Sequence, residues 1–236
     1  MAKNKKSAER QGNTRRDVIL SARNESQKEV LRAIREYAIT IIAGPAGTGK
    51  THLPVVYALQ QLLRGTYQRI IFTRPCVEAY GENLGFLPGD FNDKIAPYMM
   101  PIFDILCRSI DKREVQMLIE SGSIQTIPLA YQRGITFNDA IVIGDEFQNT
   151  IPQQLRMFLT RMGENCKIIV AGDPTQNDID GRNGLSDALV RFQNCEQIKI
   201  IRMTHADIVR NPLVEMIDRK YEDKLPSQSE GNDRDY

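Results

Sequence analysis

The chain has 236 residues, of which 41% are hydrophobic and 26% charged, and its formal net charge is +1. Such a chain can bury a globular core without disulfides or metals, and it is no global polyelectrolyte. Four widely spaced cysteines without a C-x-x-C pair argue against a zinc site or a disulfide framework, and no apolar run approaches the roughly 18 residues of a membrane span, so a reduced, cytoplasmic protein is expected.

Residues 1–24 are basic and polar, with Lys3, Lys5, Lys6, Arg10, Arg15, Arg16 and Arg23 and no apolar periodicity. They read as a flexible, solvated arm; an arm that touches nucleic acid is the sharper alternative. From Ser26 onward Val30, Leu31, Ile34 and Tyr37 recur at helical spacing, and the short β-branched run 39–43 then reads as a buried strand. The same grammar repeats, with strands predicted at 69–73, 124–127, 140–143, 167–171 and 198–202 and helical patterns between most of them. Strands buried on both faces and alternating with helices imply an α/β fold with a mostly parallel sheet and helices on both faces.

Residues 75–122 are too long for a plain crossover. They begin turn-rich, at Gly81, Gly85, Pro88 and Gly89, continue as helix from Phe91, and are the candidate place for specialised function. Residues 222–236 are polar with almost no apolar anchor and are expected to be disordered, which leaves one folded domain over 25–221.

Between the first strand and the following helix lies Gly44-Pro45-Ala46-Gly47-Thr48-Gly49-Lys50-Thr51, which fits G-x-x-x-x-G-K-[ST] in the context that a P-loop requires. Glycines let the backbone close on phosphates, so Gly44 through His52 are the candidate nucleotide-binding residues. Lys50 would neutralise β and γ oxygens, and the Thr51 hydroxyl would hold magnesium. The apolar strand 141–143 leads through Gly144 into Asp145 and Glu146, which resembles a Walker B motif. Asp145 would position the metal, and Glu146 would polarise the attacking water. After another apolar strand comes Gly172-Asp173-Pro174-Thr175-Gln176. Alone it reads as a turn, but its order and position make Gln176 a candidate reader of the γ-phosphate.

Together the runs 44–51, Asp145-Glu146-Phe147-Gln148-Asn149 and 172–176 resemble the motifs of superfamily 1 helicases confined to one RecA-like domain. Thr73-Arg74-Pro75, the run 81–90, Arg133-Gly134 with Thr136-Phe137, the run 159–163, Gly184-Leu185 and the run 207–214 are similar, more narrowly, to the PhoH family of ATPases. The resemblance spans about residues 27–221. It departs from the family pattern at Phe147, where the family has alanine, at Ile135, where it has arginine, and at Asn211, where it has histidine.

The resemblance implies binding of ATP and Mg2+, with Gln27 reading adenine; an ordinary exposed helix glutamine is the other reading of that position. In the helicases a second RecA-like domain supplies an arginine to the transferring phosphate. Here a neighbouring subunit would supply it, which implies a homo-oligomer, as a hexameric ring. Arg161, Arg182, Arg202 and Arg210 are the candidates, with Arg161 and Arg210 favoured by their motifs. Arg74, Tyr80 and Phe86 lie where a superfamily 1 protein would contact single-stranded RNA or DNA. Some relatives carry an N-terminal PIN-type nuclease domain, but the P-loop here begins at Gly44, so nuclease activity is not expected. The expectation is an oligomeric ATPase with RNA or DNA helicase or remodelling activity. The alternatives are a nucleotide-gated scaffold with slow hydrolysis and a small-molecule kinase.

Overall fold

The computed structural model describes residues 18–75, 91–176, 179, 182–209, 213, 216, 217 and 220, with the backbone alone for 91–98. Six strands form one sheet: β1 (Ile39–Ala43), β2 (Arg69–Thr73), β3 (Ile124–Thr126), β4 (Ala140–Gly144), β5 (Cys166–Gly172) and β6 (Ile198–Arg202). Their order is β3-β2-β4-β5-β1-β6, and every pairing is parallel. This is the RecA-like arrangement, in which β5 separates the strand that feeds the P-loop from the strand that ends in the paired carboxylates.

Period-two alternation sorts the strand side chains into two cores. Ile42, Ile70, Phe72, Ile141, Ile143 and Ile169 pack with α1 (Glu25–Glu36), α2 (His52–Arg64), α3 (Phe91–Ser109) and α4 (Lys112–Glu120). Ile41, Ile71, Val142, Ile168 and Val170 pack on the other face with α5 (Pro152–Leu159) and α6 (Gly184–Arg191). Both faces are thus covered, as an all-parallel sheet requires.

Local chemistry sets the helix ends. The Asn24 side chain accepts from the Gln27 amide and caps α1. Pro54 falls in the first turn of α2, where its missing N–H costs nothing, and Gly65 ends that helix with a left-handed φ of 76°. Residues 18–24 differ from the arm expected of them. Val18 is buried in the first core, Gln60 Nε2 donates to Val18 O, and the Arg23 amide donates to Gln27 Oε1.

Lys167 on β5 is buried, and its ammonium donates to the carbonyls of Tyr37 and Arg35 at the end of α1. Burial holds its pKa below the ordinary 10.5. Between the depressed folded value and the ordinary one, the unfolded chain binds more protons than the folded chain, so this residue makes stability rise with pH. As pH rises toward the ordinary lysine value of 10.5, the urea midpoint of the wild type should climb relative to that of Lys167→Met. An equal climb in both would refute the contribution.

Candidate functional site

In a parallel sheet every strand delivers its carboxyl end to one edge. The loops after β1, β2, β4 and β5 therefore meet there, beside the points where strand order reverses. The register aligns Ala43 with Gly172 and Thr73 with Gly144.

The loop after β1 is braced through its carbonyls. Pro45 O accepts from Thr48 Oγ1 at 3.0 Å and from Lys50 Nζ at 3.3 Å. Thr48 O accepts from Gln27 Nε2 at 2.9 Å, and Gly47 O accepts from the Val209 amide at 3.0 Å. None of the amides from Ala46 to Thr51 donates to an acceptor among the described residues. Carbonyls tied back and amides left open make an anion-binding concavity at the start of α2. Gly47 and Gly49 have φ of 85° and 88°, a conformation that favours glycine. Gly44 is needed for a different reason: an added Cβ would lie 2.8 Å from the carbonyl oxygen of Met203.

The cleft above this loop encloses about 590 Å³. Ala46, Gly47, Gly49, Lys50, Thr51 and His52 line it, whereas Gly44, Pro45 and Thr48 shape the loop from behind. The imidazole of His52 is held below its ordinary range by desolvation first, and then by the charges of Arg23 and Arg108. Lys50, 7% exposed, therefore supplies the charge at the loop.

Gln27 is 4% exposed, so the ordinary exposed-glutamine reading does not hold. Its Nε2 holds Thr48 O and its Oε1 accepts from Arg23, which leaves one N–H and one lone pair facing the cleft it lines.

Two carboxylates close the cleft. Asp145 is fully buried, and its Oδ1 accepts from Thr51 Oγ1 at 2.7 Å. A hydroxyl and a carboxylate oxygen converging beside open amides suit magnesium, a hard cation that takes oxygen ligands. Glu146 has a left-handed backbone, φ 57° and ψ 36°, which costs a non-glycine residue on the order of 1 kcal/mol. That geometry turns the chain sharply out of β4 and into a short 3-10 turn at Phe147–Asn149.

Arg74, just past the end of β2, bridges both acids. Its Nε donates to Asp145 Oδ2 at 3.0 Å, and its Nη2 reaches Asp145 Oδ2 at 2.9 Å and Glu146 Oε1 at 3.2 Å. Sequence reasoning grouped Arg74 with Tyr80 and Phe86 as a strand-contacting set. In the structure it lines the nucleotide-sized cleft, while Tyr80, Phe86 and Arg210 lie outside the described residues.

Gln148, which belongs to the run 145–149 but has no role assigned from the sequence, donates from Nε2 to Glu146 Oε2 at 2.6 Å. The Gln176 side chain is exposed on the turn after β5 and is not among the residues lining the cleft, and the Gln176 amide donates to Asp173 O. Asp173 is buried; its Oδ1 accepts from Thr175, and its Oδ2 has no partner among the described residues.

The finger candidates lie elsewhere. Arg161 sits at the opposite sheet edge, where its carbonyl accepts from Phe137 and its guanidinium donates to Met157 O and Ile135 O. Arg182 pairs with Asp187 at 2.7 Å, and Arg202 donates to Leu189 O at 3.1 Å. Among the described residues no helix is long and apolar enough to cross a membrane.

A protein-family model described as PhoH-like protein matches residues 19–222. The chain is 45% identical over 211 residues to a PhoH-like protein of Synechocystis sp., covering 89% of this chain and 64% of that one. It is 44% identical over 198 residues to a PhoH-like protein of Bacillus subtilis, covering 83% and 62%. The chain thus spans about three fifths of the length of these relatives. Among solved structures it is similar to the large terminase of a thermophilic bacteriophage, at a TM-score of 0.49 and 12% identity, covering 84% of this chain and 50% of that one.

Proposed function

Because the chain belongs to the PhoH-like family and has the fold of a P-loop ATPase, we propose that it binds ATP with magnesium and hydrolyses the β–γ bond. The observation that carries this reading is the meeting of Lys50, Thr51, Asp145 and Glu146 at one cleft above a loop of open amides, with Thr51 Oγ1 2.7 Å from Asp145 Oδ1.

The loop amides and Lys50 receive the β and γ oxygens, and charge that develops on the leaving phosphate meets donors already in place. Thr51 and Asp145 would hold magnesium, which would supply positive charge beside the phosphates. Glu146 orients the attacking water and accepts its proton. Gln176, on the turn that ends β5, reads the γ-phosphate and reports its loss. Gln27 orients the base with the N–H and lone pair that it keeps free.

None of Arg161, Arg182 or Arg202 lines the cleft of its own chain, which supports an arginine supplied by a neighbour in a homo-oligomeric ring. Arg161 and Arg210 are the favoured fingers. The segment that begins at Arg74 and includes Tyr80 and Phe86 is the proposed contact for single-stranded RNA or DNA, so that turnover drives helicase or remodelling work in the cytoplasm.

A second reading, a nucleotide-gated scaffold with slow hydrolysis, is favoured by one observation. Arg74 bridges Asp145 and Glu146, and Glu146 is the base that hydrolysis needs free. Phosphate release from MgATP, with and without single-stranded RNA or DNA and alongside the mass by light scattering, separates the two. Stimulation by one polymer in a high-mass species supports the ring ATPase. Slow release indifferent to both polymers supports the scaffold.

A further inference from the structure

Gln148 lies in the gap between the ends of β4 and β5 and is 2% exposed. Its Oε1 accepts from the Asp173 amide at 3.0 Å, and its Nε2 donates to Glu146 Oε2 at 2.6 Å. The first bond settles the second: with the oxygen committed to an N–H, the amide can only turn its NH2 toward the carboxylate. The surroundings allow little else. A Cβ on Gly172 would stand 2.6 Å from Gln148 Oε1, so the glycine leaves room for this side chain. Its neighbour Phe147 is fully buried, packs against Phe158 in a tilted pair with centroids 4.7 Å apart, and fills the space over Gly144.

Glu146 needs such a partner. Its side chain is 37% exposed, and its backbone is left-handed, so nothing in its own conformation fixes the carboxylate. The geometry points to Gln148 as a positioning residue for the hydrolytic step, a buried strut that holds the Glu146 carboxylate in register with the turn from Asp173 to Gln176. The inference rests on the hydrolysis reading above and adds a role to it. With Oε2 tied to the strut, Oε1 is the oxygen that Arg74 Nη2 reaches at 3.2 Å and that an attacking water would share with it. The general base and the residue that reads the γ-phosphate then shift together, because one amide side chain joins the base to the turn that carries the reader. A misplacement of about 1 Å at a reacting group costs on the order of 10² in rate, which is the effect to expect when the strut is removed.

The test is steady-state phosphate release by the full chain, with MgATP affinity measured separately by equilibrium binding, in the wild type, Gln148→Met and Gln148→Glu. The methionine keeps the length of the side chain and removes both hydrogen bonds. The glutamate keeps the shape of the side chain and the acceptor for the Asp173 amide but sets a second carboxylate against Glu146, and the urea midpoint of each variant separates a lost fold from a lost strut. Turnover number should fall by about 10² in each folded variant while MgATP affinity stays within about threefold. Full turnover in Gln148→Glu overturns the inference, as does a loss that appears in affinity and leaves turnover number intact. Wild-type protein that releases no phosphate overturns the ATPase reading, and the positioning role with it. Normal wild-type turnover with active Gln148 variants overturns the positioning role alone.

Discussion

Glu146→Gln should leave MgATP bound and slow its turnover by about 10²–10⁴-fold, the span expected for removing a general base. The substitution is nearly isosteric, and the new amide oxygen can still accept from Gln148, as Glu146 Oε2 does at 2.6 Å. Thr51 and Asp145 are untouched, so the oxygens that would hold magnesium stay where they are. What disappears is the ability to take a proton from water. Phosphate release against time gives the rate, and equilibrium binding of MgATP gives the affinity. Unchanged turnover would remove Glu146 from the chemistry, and lost affinity would make it a binding residue.

Lys50→Ala should fail one step earlier, at nucleotide binding. The side chain is 7% exposed, and its Nζ reaches Pro45 O at 3.3 Å, a weak neutral acceptor. A nearly buried ammonium without a carboxylate partner among the described residues is held for an anion that arrives from outside. Its loss should cut turnover by about 10²–10³-fold, the scale of one transition-state donor, and should weaken MgATP binding as well. The urea midpoint should hardly move, because the loop keeps its other braces at Gln27 and Val209. Undiminished binding in this variant would overturn the phosphate cradle.

The elements that announce themselves locally were legible in the sequence. The loop from Gly44 to Thr51 carries its own grammar, and the strands before Gly44, Asp145 and Asp173 are apolar runs bounded by turn residues. The structure extends β4 by Gly144 and β5 at both ends, because parallel neighbours supply partners there. Strand order was not legible, and the contacts of Arg74 and Gln148 follow from it. Arg74 reaches the carboxylates because β2 lies beside β4, and Gln148 reaches Asp173 because β4 lies beside β5. Neither adjacency leaves a trace in periodicity. Glu146 carries a positive φ at a position where no glycine hints at it. Val18 opens the short run Val18-Ile19-Leu20 at the end of a basic stretch, and only tertiary packing makes it core.

The phosphate loop is also where the two ends of the folded unit are sewn together. Asn24, just before α1, donates from Nδ2 to Asp207 O, and Val209, beyond β6, donates its amide to Gly47 O. Shortening the chain to end at Arg202 would spare all six strands and strip the loop of a brace. Among the described residues, a load on the chain after Val209 would reach the loop through the bond between Val209 and Gly47.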